Sequence, residues 1–124
     1  MPDPRQTLGQ RGENLVADRL QRAGYAILAR NWRHGTGGEL DIVARRTSEI
    51  VFVEVRTRRG PLDAAVDWAL ESVDANKQAR LIRLSEAYLA AHELENLAWR
   101  IVVVAVAFQG KTFAMEVIKN AAEW

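Results

Sequence analysis

The sequence predicts an α/β domain, a mixed five-stranded sheet flanked by helices in the order α-β-β-β-α-β-β. Three observations carry this. Two segments repeat apolar residues at helical spacing, two neighbouring segments alternate with period two, and one run, Ile101 to Phe108, is apolar throughout. At 124 residues the chain suits a single domain spanning 1–124.

Leu8, Leu15, Val16, Leu20 and Ala23 place the first helix at roughly 7–23, with Gly24 as its stop. Tyr25 to Arg30 reads as a short strand, and Asn31 to Gly38 as a glycine-rich loop. Alternation then puts Leu40, Ile42 and Ala44 on one face of a strand, with Glu39, Asp41 and Arg45 opposite. In the next strand, Ile50 to Arg58, Val51, Val53 and Val55 share one face, and Phe52, Glu54, Arg56 and Arg58 the other. The polar Thr47-Ser48-Glu49 joins the two as a hairpin. Arg59 to Asp67 reads as a loop. A second helix is expected at about 71–91, with Leu81, Leu84 and Tyr88 as its apolar stripe and Asp74 as a cap near its start. Arg100 to Phe108 is β-branched and apolar on both faces, as in a buried strand. Gln109-Gly110-Lys111 turns the chain into a last strand, Thr112 to Ile118.

Composition removes several classes of function. The 48% hydrophobic and 27% charged residues are a globular balance, which excludes a disordered or fibrous chain. With no cysteine there are no disulfides, thiolate metal sites or cysteine nucleophiles, and a cytoplasmic location is expected. The start, MPDPRQTLGQ, is not a secretory leader, and no segment approaches the roughly 20 apolar residues of a membrane span. Net charge is +1, yet residues 1–60 carry +4 and residues 61–124 carry −3. Most of the cations are arginine, whose fork suits phosphate.

The hairpin gathers acids. If the turn is centred between residues 47 and 48, Asp41 faces Glu54, with Glu39 on the same face. Like charges so placed repel, and either Arg56 or a bound cation would offset them. Mg²⁺ is commonly held by one or two carboxylates with water and substrate phosphate, so Asp41 and Glu54 suit metal-assisted phosphodiester hydrolysis. A plainer reading is a solvated hairpin with ordinary Glu–Arg pairs, and a three-residue turn would part the acids. Arg45, Arg46, Arg56, Arg58 and Arg59 cluster around the hairpin, where they would track a phosphate backbone or guard a strand edge. Trp32 and Arg33 would stack a base and grip a phosphate, or pack on the sheet and pair with an acid. His34 and His92 show no ligand spacing, Trp68, Trp99 and Trp124 read as core or interface aromatics, and Gly35, Gly37 and Gly38 lack the remainder of a phosphate-binding loop.

Gly12-Glu13, Asn31-Trp32-Arg33, Gly38 to Val43 and Val51 to Arg58 resemble the YraN-like family, small bacterial proteins assigned to the restriction-endonuclease-like fold. Lys77 and Ala87 to Leu89 match the helix that follows in the same pattern. The hairpin is similar, more loosely, to archaeal-type Holliday junction resolvases. The resemblance implies that Asp41 and Glu54 ligate Mg²⁺ or Mn²⁺ and that the Val55 carbonyl completes the site. It also implies that Glu13 points at the metal from the first helix and that Glu39 holds a second metal or a water. The implied substrate is nucleic acid, DNA rather than RNA, with Arg33, Arg45, Arg58, Arg59, Lys77 and Trp32 as contacts and no membrane partner. A homodimer would suit an enzyme that cuts two strands. Two departures stand out. The signature lysine is Arg56 here, which cannot give up a proton. Lys77 would then be a replacement reaching in from the second helix. Val102 stands where related sequences often carry Asp. Three functions follow: a metal-dependent nuclease using Asp41, Glu54, Glu13 and Arg56, a catalytically silent nucleic-acid-binding module, or a protein-interaction module.

Overall fold

The computed structural model describes residues 5–120, without the side chain of Lys119. Residues 1–4 and Trp124 lie outside that range. Thr7 starts helix α1 (Leu8–Arg22) through a capping box, its hydroxyl accepting from the Gln10 N–H while the Gln10 side chain accepts from the Thr7 N–H. Strands β1 (Ala26–Arg33), β2 (Glu39–Arg46) and β3 (Glu49–Arg59) follow, then α2 (Leu62–Ser72), α3 (Ala75–Ala91), β4 (Ala98–Gln109) and β5 (Thr112–Asn120). The five strands lie side by side in chain order. All neighbours run antiparallel except β3 and β4, which are parallel and joined across α2 and α3. This is the predicted mixed sheet with helices on both faces, and it carries one helix more than predicted.

The extra helix is α2, over much of what reads as the loop Arg59 to Asp67. Only Ala65 and Ala69 of α2 are buried, so its inner stripe is made of small residues and gives a weak period. The helix expected at 71–91 starts at Ala75, where Asp74 caps it by accepting from the Lys77 N–H at 2.9 Å. The loop expected from Asn31 shrinks to residues 34–38, because Trp32 and Arg33 still pair with Leu40 and Glu39.

Two cores sandwich the sheet. On the α1 side, Val16 and Ala17 meet Ile42, Ala44, Val51, Val53, Val55, Val102, Val104 and Val106. On the α3 side, Leu81, Leu84 and Tyr88 meet Val43, Ile50, Phe52, Ile101 and Val103. Leu40 corrects the expected alternation, since it packs on the α3 side while Ile42 packs on the α1 side. Its partner Trp32 moves with it. Between Arg30 and Trp32, Asn31 adopts φ 51, a left-handed conformation that Asn tolerates better than most residues. That residue breaks the period-two rule in β1, and its partner strand β2 breaks it at Asp41.

One helix position sets how closely α1 approaches. A Cβ on Gly12 would lie 1.9 Å from the Thr57 hydroxyl oxygen, so only glycine lets α1 settle onto β3 there. The next residue is Glu13.

Candidate active site

The hairpin register is the one that brings the acids together. Ile42 pairs with Val53, Val43 with Phe52 and Arg46 with Glu49, around a two-residue turn in which Thr47 has φ 53. Continued by one step, this register sets Asp41 opposite Glu54. The ladder ends there, and the Val55 N–H donates instead to the Asp41 Oδ2 at 2.8 Å. Asp41 is therefore turned toward β3.

Glu54 is buried, at 3% exposure, beneath α3. Its Oε2 lies 3.1 Å from the Lys77 Nζ and 3.8 Å from an Arg56 Nη. Its Oε1 is buried and, Asp41 aside, meets no hydrogen-bond donor among the described residues. A buried carboxylate oxygen without a donor is costly, and a proton shared with Asp41, a water or a cation would each serve it. Asp41 reflects that demand. Burial first, and the adjacent Glu54 carboxylate second, push its carboxyl up to about 8. Burial also raises Glu13, against the lowering effect of its bond from Asn31.

Glu13 and Glu39 form a second group at the α1 side. The Asn31 amide donates to Glu13 at 2.9 Å and to Glu39 at 3.3 Å. Arg33 pairs with Glu39 at 3.1 Å, and Arg30 stands 3.8 Å from Glu13. Glu39 thus sits with Glu13, Asn31 and Arg33 rather than crowding the Asp41–Glu54 pair as expected. Its strand breaks alternation between the two. Among the described residues no three carboxylates or histidines converge into one ready cage, which leaves Asp41 and Glu54 as a two-carboxylate set.

The basic residues divide in the same way. Arg56 is drawn toward α2, its Nε donating to the Ser72 hydroxyl at 3.1 Å and its guanidinium 4.8 Å above the Trp68 ring. Arg58 covers the same ring. Arg45 folds back on the hairpin turn, donating to the Thr47 carbonyl, and Arg46 covers Tyr25. The expected arginine cluster is therefore two groups at opposite ends of the hairpin. Lys77 reaches Glu54 because the Asp74 cap sets it in the first turn of α3. Trp32 meets Tyr88 edge-on at 5.2 Å and stacks with His34 at 5.7 Å, which makes it a wall of the α3-side core.

Sequence reasoning gives Asn31 only as part of a motif and Trp68 only as a core or interface aromatic, and it passes over Ser72. The signal for Asn31 is a left-handed-tolerant amide, a neutral donor that two acids can share. Ser72 carries no such signal, because the period of α2 is weak.

Fold and site together describe an α/β domain whose central hairpin carries a buried glutamate beside a half-buried aspartate, flanked by a lysine from one face and a glutamate from the other. A family model described as "Uncharacterised protein family UPF0102" matches residues 12–106. The chain is 47% identical over 111 residues to a UPF0102 protein of Chloroflexus aurantiacus, covering 89% of this chain and 87% of the relative. It is 51% identical over 107 residues to one of Roseiflexus castenholzii, covering 86% and 83%. It is 42% identical over 121 residues to one of Nitratidesulfovibrio vulgaris, covering 98% and 87%. The chain belongs to the UPF0102 family, in line with the resemblance read from its motifs. Among the described residues, no helix is long and apolar enough to cross a membrane.

Proposed function

We propose that this chain hydrolyses phosphodiester bonds of nucleic acid, with DNA as the expected substrate and a bound Mg²⁺ or Mn²⁺ as cofactor. The single observation that carries the reading is the Asp41–Glu54 carboxyl pair, in which Glu54 is buried and one of its oxygens meets no donor from the other described residues. The donor set suits a hard divalent ion, which takes oxygen ligands and fills its remaining positions with water and phosphate. Asp41 and Glu54 would hold that ion, with Glu13 the next acid inward from α1. Bound there, the ion would supply charge stabilisation at the phosphate and a more acidic attacking water.

The chain's own groups then have distinct tasks. The Val55 N–H fixes the Asp41 carboxyl in orientation. Lys77 supplies the closest positive charge to Glu54 and would stabilise charge developing on a phosphate oxygen. Arg56 lends charge from further off, because Ser72 and Trp68 hold its guanidinium. That same clamp on Arg56 favours the second reading, a nucleic-acid-binding module without cleavage.

The test incubates the protein with single-stranded, duplex, flap and four-way-junction DNA plus Mg²⁺ or Mn²⁺. Cleavage by the wild type is expected, lost in Glu54→Ala and reduced about 100-fold in Lys77→Ala, the scale for one stabilising donor. Arg56→Lys should cut at a similar rate to wild type. If only Arg56→Lys cuts, the natural chain is a silent binder. If no protein cuts any substrate, the enzyme reading falls.

A further inference from the structure

Three clefts run together around the N-terminal half of α1. The first, about 400 Å³, opens at Glu13, Asn31, Arg33 and Glu39. The second, about 500 Å³, shares Gln10 and Asn31 with it and adds Arg5, Asn14 and Arg30. The third, about 330 Å³, shares Gln6 and Asn14 with the second and reaches Phe108 and Phe113. The lining changes along the way. Near the acids it is arginine and side-chain amide. At the far end it is aromatic and aliphatic, with Arg11 seated 4.5 Å above the Phe108 ring and Phe113 45% exposed on β5. Arg11 and Lys111 flank that end, as does Asp18, itself paired with Arg22 at 3.1 Å.

We propose that this groove carries a single nucleic-acid strand past Glu13 and Glu39 and seats one unstacked base in the cleft at Phe113 and Leu15. For its substrate class the proposal rests on the nuclease reading above. The chemistry of the lining selects the occupant. Arginines meet a regularly charged backbone, while Asn and Gln side chains present donors and acceptors together, as base edges do. An exposed aromatic ring flanked by cations is a platform for any base, since every base has a π-face. A duplex cannot offer a base there without unstacking it, which makes the groove selective for single-stranded or frayed substrate. Every nucleotide carries both a charge for the arginines and a ring for the aromatic end, whereas an acidic peptide carries both only where its sequence supplies an aromatic residue.

The experiment is a binding measurement, kept apart from cleavage by EDTA. A fluorescein-labelled 12-nucleotide single strand is titrated with protein and followed by anisotropy, beside a duplex of equal length. The single strand should bind more tightly. Phe113→Ala should weaken it about tenfold, within the range for one stacked base, and Phe113→Tyr should not. Arg30→Ala should flatten the dependence of log Kd on log salt by about one unit. An internal 2-aminopurine should brighten on binding to wild type and not to Phe113→Ala. Phe113 is half exposed, so an unchanged thermal melt for the alanine variant should show the fold intact. Equal binding of duplex and single strand, wild-type affinity in Phe113→Ala, or no binding at all overturns the groove. If these binding results hold while no substrate is cut with metal, the nuclease reading fails and the groove stands. If cleavage is seen and Phe113→Ala binds as wild type, the groove alone fails.

Discussion

The two faces of the sheet are built on different principles. The α1 face is a close contact of small groups: Gly12 against Thr57, and Ala17 over the valines of β3 and β4. The α3 face is a bulky one, in which Phe52, Tyr88, Trp32 and Trp99 interlock edge-to-face at 5.2 to 5.9 Å. Each face delivers one charged group to the acid pair. The close face brings Glu13, and the bulky face brings Lys77. A short-range fit positions the acid, and a helix cap positions the cation. Of the pair between them, Glu54 is buried and Asp41 half-buried.

Changes to the two faces should therefore fail in different ways. On the bulky face, Phe52→Ala removes a fully buried ring and should cost about 3–5 kcal/mol, measured as a lower denaturation midpoint. Lys77→Ala on the same face leaves Glu54 without its closest cation. The expected loss is about 2 kcal/mol, below the range for a wholly buried pair because the Lys77 side chain is 26% exposed. On the close face, Gly12→Ala forces α1 off β3. Overpacking costs about 1–3 kcal/mol, and the better helix propensity of Ala returns about 1. Its more telling effect should be on activity, since Glu13 moves with the helix. A large loss of cleavage with a small change in stability would separate positioning from folding. If Gly12→Ala cleaves as wild type, the close contact at Gly12 does not position the site.

A pH series sharpens the comparison at the pair itself. The folded Asp41 titrates at about 8, against an ordinary 3.8, because burial and Glu54 disfavour its charge. The unfolded chain thus loses this proton first. The contribution of Asp41 is fully present below pH about 4 and declines as pH rises through about 8. Asp41→Asn should remove that slope, so the stability difference between variant and wild type should widen in the variant's favour from pH 5 to pH 8. Mg²⁺ or Mn²⁺ should oppose the decline by binding the ionised pair, stabilising the wild type more at pH 8 than at pH 5. Equal stabilisation at both values would count against Asp41 as a ligand. The smallest effect expected is from Thr7→Ala, about 1 kcal/mol from the lost cap of α1, with cleavage unchanged.

Much of this architecture was legible along the chain, because the signals are local. Period-two runs at 39–45 and 50–58 define two strands, and the polar turn between them sets a register that puts Asp41 opposite Glu54. The Asp74 cap and the Leu81–Leu84–Tyr88 stripe define α3, and the apolar run from Ile101 defines β4. The helix α2 was hidden because a stripe of alanines has little amplitude against its neighbours. The face of Leu40 was hidden because one residue in a left-handed conformation, Asn31, reverses an alternation that looks unbroken in the letters. The parting of Glu39 from Glu54 and the clamp of Ser72 and Trp68 on Arg56 are contacts between residues distant in sequence, as is the reach of Lys77 to Glu54, which only the replaced signature lysine suggests. No spacing encodes them. They depend on how two helices settle on opposite faces of one sheet, and that is a matter of side-chain volume and close approach in three dimensions.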